Sequence, residues 1–369
     1  MLRRRRFSLP FEDQLPALTR AVRGEPVPEP AAPGRLVDAA LHHRVAGHVA
    51  RAVEREELRL PGPQRRRLAR IGAVQIAHSM ALRRELGELA VELEAACGTA
   101  PICIKGPAVA DRLYPDPRLR TFADLDLMLP RERLDTAAAA LERRGYEHVH
   151  EFRPGFGASH GHDLHLARRA GARAINVELH WRVGDDPACA ALGHGVLAGE
   201  ERIDVGGAAV AVPAAPAQIL VLAVHLLSDR SKRLVWLEDL ALAGRAASDR
   251  EWLEAFELAE RLELGWVLHR ALDYVGVHLG WERARPLPPG PAPAWGPLRA
   301  VEALDMRGSL HLGRMAALDW PGRRRYLRTV LVPTREGLAG TVGGDGAPLW
   351  RLAARHVRVT ALALAPRRR

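Results

Sequence analysis

Apolar positions along this chain repeat with two different periods, and the switches between them divide it into three parts. Across residues 12–98 the spacing is helical. Leu82, Leu86, Leu89 and Leu93 fall three or four residues apart and form one stripe. The helix that carries them is expected to end at Cys97-Gly98, glycine being a natural terminator. Between residues 101 and 213 the pattern changes to short apolar or alternating runs. These predict strands at Ile102 to Ile104, Asp124 to Leu129, Tyr146 to Phe152, Asp163 to Ala167 and Ala172 to Trp181, with a hairpin over Ile203 to Val212 turned by Gly206-Gly207. Helices are expected after Gly106 and from Arg131 to Arg144. From Pro216 the helical spacing returns, with Ile219, Leu220, Ala223, Val224 and Leu227 on one face, followed by predicted helices at Leu234 to Ala247, Glu251 to Leu262 and Trp266 to Leu279. The proline-rich residues 285–297 cannot continue a helix and read as a linker or stiff loop. Beyond them, residues 298–319, 323–332 and 348–363 are compatible with further helices. The pattern therefore predicts an α+β fold: an N-terminal helical region (1–100), an α/β core with a mixed sheet (101–213) and a C-terminal helical region (214–369), without internal repeats.

The polar positions of the middle part carry the candidate chemistry. Side chains two apart on a strand share a face, so Leu125, Leu127 and Leu129 enter the core while Asp124 and Asp126 project together, about 6 to 7 Å apart at their Cα atoms. Neighbouring carboxylates repel unless a cation or a shared proton neutralises them, and hard oxygen donors at this spacing suit Mg²⁺. In Ile175 to Trp181, Val177 and Leu179 alternate with Asn176, Glu178 and His180. Glu178 then lies on the polar face of a strand that can pair beside the first, or is a solvent-facing acid on an edge strand. If the strands pair, Asp124, Asp126 and Glu178 can share two Mg²⁺ ions, one holding a triphosphate and one lowering the pKa of an attacking hydroxyl.

The preceding turn supplies a second element. Gly106 follows a strand, and Pro107 stands at the first helical position, where proline is favoured. Backbone N–H groups there would face outward, towards phosphate oxygens. Lys105 adds a point charge. It and Lys232 are the two lysines among 54 basic residues, so lysine is not background in this arginine-rich chain, although it can also simply cap a strand end. Arg120, four residues before Asp124, has the planar fork to grip a phosphate, with a surface salt bridge to Asp116 as its alternative. His180 shares the face of Glu178 and is a candidate for contacting substrate or orienting the acid. His160, His162, His165, Cys189 and His194 lack the spacing of a zinc finger, and His162 and His165 are expected on opposite faces of a strand, so a zinc site is not favoured and one of these imidazoles is expected to line the cleft. His225 and Asp239 are expected to pair and brace the helical half against the core.

Composition narrows the class. A chain of 369 residues, 47% hydrophobic, can bury a full core in two or three structural units. No run reaches the ~18 apolar residues of a spanning helix, and the four arginines before Phe7 are not followed by the apolar stretch of a secretory signal, so neither a membrane nor export is expected. Cys97, Cys103 and Cys189 are widely spaced and suit reduced thiols in the cytoplasm. A net charge of +10 admits nucleic acid as a partner, but the excess is dispersed arginine and aromatics make up 5%, leaving few platforms for base stacking. Nucleic acid is therefore not favoured.

Lys105-Gly106, Tyr114-Pro115-Asp116 with Arg120, Asp124-Leu125-Asp126, Glu178-Leu179-His180-Trp181 and the segment from His225 to Asp239 follow one another in an order that resembles the uncharacterised nucleotidyltransferase family related to the DNA polymerase β superfamily. In the wider superfamily the turn is usually Gly-Gly or Gly-Ser; Lys105-Gly106 departs from that as this family does. The resemblance implies a polymerase β-like core and Mg²⁺-dependent transfer of a nucleoside monophosphate from an NTP to an acceptor, with release of pyrophosphate. Asp124, Asp126 and Glu178 would be the catalytic metal ligands, and Lys105, Gly106, Arg120 and His180 would contact the nucleotide. The family does not identify the acceptor; a small molecule or peptide in natural-product biosynthesis fits its relatives. Two other classes share the motifs: a toxin-type enzyme modifying tRNA ends, and a nucleotide-binding scaffold without turnover, against which the presence of all three carboxylates argues. Asp126→Asn is expected to abolish transfer with little change in stability, because it also removes a mutual repulsion.

Overall fold

The computed structural model describes residues 9–149, 161–171, 173–184, 188–228, 233–281, 315 and 319–331. The N-terminal stretch is not one helical run but four helices, α1 (Leu15–Arg23), α2 (Pro33–His42), α3 (Ala46–Glu54) and α4 (Gly62–Cys97). They break where the chain supplies breakers. Gly24 takes the left-handed conformation after α1, and prolines begin α2 and α4. Arg44 and Glu56 also adopt positive φ at the corners after α2 and α3. Helix α4 carries the predicted leucine stripe, with Leu82, Leu86, Leu89 and Leu93 fully buried, and it ends at left-handed Gly98.

A seven-stranded mixed sheet follows, built from β1 (Ile102–Cys103), β2 (Asp124–Met128), β3 (Glu147–His148), β4 (Asp163–Ala170), β5 (Arg173–His180), β6 (Glu200–Val205) and β7 (Ala208–Pro213). Its order is β3-β4-β5-β2-β1-β7-β6. The β2–β5 and β1–β7 pairs are parallel and the others antiparallel. Gly206 and Gly207, both at positive φ, turn the β6–β7 hairpin as expected. Helices α5 (Pro107–Leu113), α6 (Leu134–Arg143) and α7 (Ala188–Ala198) connect the strands. Helix α7 escapes the periodicity reading because its alanines and glycines form no apolar stripe. The glycines serve close packing: a Cβ on Gly193 would sit 3.1 Å from the Trp181 carbonyl oxygen.

The two faces of the sheet are covered differently. On one, Leu125, Leu127, Leu129, Val177 and Leu179 pack with the α4 leucines and with Leu134, Ala137 and Leu141 of α6. On the other, Ile102, Ile104 and Met128 join a larger core with α8 (Ala215–Ser228), α9 (Leu234–Ala246), α11 (Gly265–Leu279) and the N-terminal helices. Helix α10 (Asp249–Arg261) opens with a Ser248–Glu251 capping box, and α12 (Trp320–Leu331) is the last described element. The architecture is of the expected α+β class. Of the strand predicted from Tyr146 to Phe152, Glu147–His148 form β3, while residues 150–152, His160, the proline-rich stretch 285–297 and residues 348–363 lie outside the described residues. Among the described residues no helix is long and apolar enough to cross a membrane.

Candidate active site

Register alone gathers the acidic residues. In the parallel β2–β5 pair Asp124 lies opposite Asn176 and Asp126 opposite Glu178; β4 adds His165 opposite Glu178 and Asp163 opposite His180. Paired residues share a face, and the intervening leucines and valine are committed to the α4 side, so the polar set emerges together on the other face. The start of β2 is held by α4: the Phe122 backbone N–H donates to Ser79 Oγ at 3.1 Å, and the Ser79 hydroxyl donates back to the Phe122 carbonyl at 3.3 Å. The turn after β1 comes close to the same segment. Gly106 has φ 57°, and a Cβ there would lie 3.4 Å from the Asp124 carbonyl oxygen and 3.6 Å from the Phe122 ring. This approach brings Lys105 Nζ to 2.6 Å from Asp126 Oδ1.

The charges in the cluster divide unequally. Burial alone would raise the Asp126 carboxyl, but the Lys105 ammonium and a hydrogen bond from His180 hold it well below the usual carboxylate range. Asp124 shows the reverse: burial and the neighbouring charges of Asp126 and Glu178 push it up, and Lys105 and Arg44 only partly offset them. His180 is 2% exposed and its Nε2 lies 3.1 Å from Asp126 Oδ1 and 3.4 Å from Glu178 Oε2. Burial works against its charge, but these two acids outweigh it and raise the imidazole to about 9. The His165 imidazole, bonded to Asp163 at 2.8 Å, is likewise raised to about 9. At neutral pH both are imidazolium ions that donate hydrogen bonds. Asp126, Glu178 and His180 offer ligand atoms within 4.8 Å of one another, as do His162, Asp163 and His180, and Asp163, His165 and Glu178. Asp124 stands outside these groups, one row along the face.

The structure thus brings Asp124, Asp126, Glu178, Lys105, Gly106 and His180 together, and it places Arg120 elsewhere. The Arg120 guanidinium is 5% exposed and grips Asp239 in bidentate fashion, at 2.8 Å through both Nε and Nη2, while Tyr114 OH donates to the same carboxylate at 2.7 Å. Asp116, its expected alternative partner, pairs with Arg118 instead. The bracing foreseen between His225 and Asp239 is made by Arg120 and Tyr114, and the His225 ring packs edge-on against Trp236. His162 and His165 also differ from expectation. Strand β4 begins at Asp163, so His162 is free of the alternation and both imidazoles approach Asp163 Oδ2, at 3.8 and 2.8 Å.

One participant was missed altogether. Arg44, at the α2–α3 corner, feels the charges of Asp124 and Asp126 across the cleft. Nothing local in His42-His43-Arg44 signals this, because it depends on how the N-terminal helices dock. A cavity of about 110 Å³ opens on a different side, between α1, α3 and α9, and is lined by His48, Arg51 and Glu238 among others.

A family model described as an uncharacterised nucleotidyltransferase matches residues 29–280. In structure, the chain is similar to an antigenic nucleotidyltransferase-like protein from Paracoccidioides brasiliensis, with 19% identity, 51% of this chain and 91% of that chain covered, and a TM-score of 0.31. No curated protein matches the sequence.

Proposed function

The chain belongs to the uncharacterised nucleotidyltransferase family, and from that premise we propose that it transfers a nucleoside monophosphate from an NTP to an acceptor nucleophile, using Mg²⁺ held by Asp124, Asp126 and Glu178. The observation that carries this reading is the β2–β5 register, which seats Asp126 beside Glu178 with Asp124 one row away and Lys105 at hand. The donor set fits a hard cation. His180 Nε2 is directed at Asp126 and Glu178, 3.1 and 3.4 Å away, so the carboxylate oxygens are the donors assigned to a metal, and oxygen ligands suit Mg²⁺. Bound there, Mg²⁺ would neutralise triphosphate charge and acidify the attacking hydroxyl.

Each side chain then has a task. Asp124, whose carboxylate form is disfavoured by its two acidic neighbours, gains most from a cation. Glu178 is assigned to the cation nearest the attacking hydroxyl. His180 holds Asp126 and Glu178 in position through its contacts to both. Lys105 neutralises Asp126 in the absence of metal; once a cation takes up that carboxylate, its ammonium is available to a phosphate oxygen. Gly106 permits the close turn. Arg120, committed to Asp239, has no part in binding. Cys97, Cys103 and Cys189 are buried thiols, and the proposed compartment is a reducing one such as the cytoplasm.

The test is incubation with each α-labelled NTP and Mg²⁺, with small-molecule extracts and with bulk tRNA. Label should move to a small molecule or peptide with release of pyrophosphate, and Asp124→Asn should stop it. Label on tRNA would assign the toxin-type activity. Thermal stabilisation by NTP and Mg²⁺ without any turnover would assign a nucleotide-binding scaffold and overturn the proposal.

A further inference from the structure

Near the acidic cluster lie two cations that have no counter-charge in contact among the described residues. Arg44 is half-buried at a positive-φ corner, φ 55°, and its guanidinium makes no hydrogen bond or ion pair with any described residue. Burial and the charge of Arg233 hold it below the usual arginine range, against the pull of Asp124 and Asp126. Those carboxylates act at a distance, without touching it. Arg233 precedes α9; its Nε is buried without a partner and its guanidinium stands 5.3 Å over the Trp236 ring. The imidazoles nearby offer no anion. Burial, with Arg233 as a further cause, pushes His42 down, and His43 falls to about 4, its Nδ1 accepting from the Leu234 N–H.

An isolated pair of repelling, partly buried guanidinium groups is unfavourable, and in proteins such charges are normally paired or serve a ligand. The ligand they call for is polyanionic, because two forks must be satisfied, and guanidinium matches phosphate oxygens bidentately. It must also sit next to carboxylates, which an anion does only when cations intervene. A metal-bound triphosphate meets both conditions. We propose that Arg44 and Arg233, brought together where the α2–α3 corner meets the start of α9 through the His43 bonds to Leu234 and Val235, form a clamp for the β- and γ-phosphates of the nucleotide. This rests on the nucleotidyl-transfer reading above and adds to it the residues that hold the leaving pyrophosphate.

The test uses the full chain and inorganic tripolyphosphate in the presence of Mg²⁺, with no nucleoside to transfer, so that binding is read apart from turnover. Titration calorimetry should show wild-type binding that Arg44→Gln and Arg233→Gln each weaken at least about tenfold, the scale of a charge-assisted hydrogen bond. Arg44→Lys should lose less, and Arg250→Gln, at an exposed pair with Glu254 in the first turn of α10, nothing. Because the Arg44 guanidinium has no partner among the described residues, Arg44→Gln should unfold at the same temperature as wild type or higher; a clear fall would mark it as structural and overturn the clamp. Equal binding by wild type and both variants, no wild-type binding, or arginine-dependent binding of bulk tRNA without tripolyphosphate binding would each overturn it as well. The two readings separate cleanly. Label transfer from NTP with arginine-independent tripolyphosphate binding removes the clamp and keeps the enzyme, whereas an arginine-dependent clamp without label transfer removes the enzyme and keeps the clamp.

Discussion

Two groups of buried charge lie close together in this protein and are balanced in opposite ways. In the Arg120–Asp239–Tyr114 knot one guanidinium meets one carboxylate through parallel hydrogen bonds, and a phenol takes up a remaining lone pair. A few residues on, Asp124, Asp126 and Glu178 crowd together with Lys105 and His180, while Arg44 and Arg233 stand apart without an acidic partner among the described residues. The first arrangement is satisfied internally and ties α9 to the segment leading into β2. The second is left incomplete by the fold, and a site that must receive a cation and a polyanion has to be incomplete without them. The contrast separates residues that hold the architecture from those that wait for a ligand, even though all are charged and mostly buried.

The comparison is most exposed to failure at the knot. Asp239→Asn strands the Arg120 charge in the core and should cost about 3–5 kcal/mol in urea unfolding. Replacing both partners by apolar residues, Arg120→Met with Asp239→Leu, should recover much of that loss. A single substitution tolerated within the error of the measurement would mean that the knot is not what joins the helical half to the sheet.

At the cluster, neighbouring carboxylates should respond with opposite signs. Asp124→Asn removes repulsion and should stabilise the free protein by about 0.5 kcal/mol, the scale of like charges on adjacent strands, while lowering nucleotidyl transfer roughly 10²-fold or more through loss of a metal ligand. Asp126→Asn should also stop transfer but lower stability, because Lys105 and His180 lose their counter-charge. That revises the expectation from sequence, in which loss of the mutual repulsion left stability little changed. Denaturation of the two variants side by side decides it, and equal effects would dissolve the distinction between them.

That revision shows where the sequence was legible. Alternation identified β2 and β5 and the face carrying Asp124, Asp126, Glu178 and His180, because leucines at every second position leave one orientation in a half-buried strand. The α4 stripe and the Gly206-Gly207 hairpin were readable for the same reason: each is set by local spacing. Contacts between segments distant in sequence were not. Arg120 with Asp239, 119 residues apart, and Arg44 against the carboxylates depend on how helices dock, and arginine is so common here that neither stood out. The corners of the N-terminal region were hidden because Arg44 and Glu56 take left-handed conformations that neither residue type advertises.

Ser79 tests whether the cluster is positioned by backbone rather than by its own charges. Ser79→Ala leaves the buried Phe122 N–H without its acceptor, at a cost of about 1–3 kcal/mol, and should shift β2 enough to reduce transfer as well. Full activity with lowered stability would show that the β2–β5 register alone aligns the acids.

The smallest effect expected is a pH dependence peculiar to the cluster. His180 and His165 are held at about 9 in the folded protein against about 6.5 in an unfolded chain. Between those values the folded state binds protons that the unfolded state has released, so stability falls as pH rises. The contribution is complete below about pH 6.5 and lost as pH passes 9. When His180 loses its proton, Asp126 still has Lys105 at 2.6 Å, so the loss is cushioned and should amount to about 2–4 °C in Tm in metal-free buffer. His180→Asn should reduce the slope and His165→Asn reduce it further, whereas the Asp239→Asn and Ser79→Ala variants, lower in Tm throughout, should keep it. A slope retained in both histidine variants would show that the protons come from outside the cluster, and the internally balanced and open groups of charge would then be indistinguishable by pH.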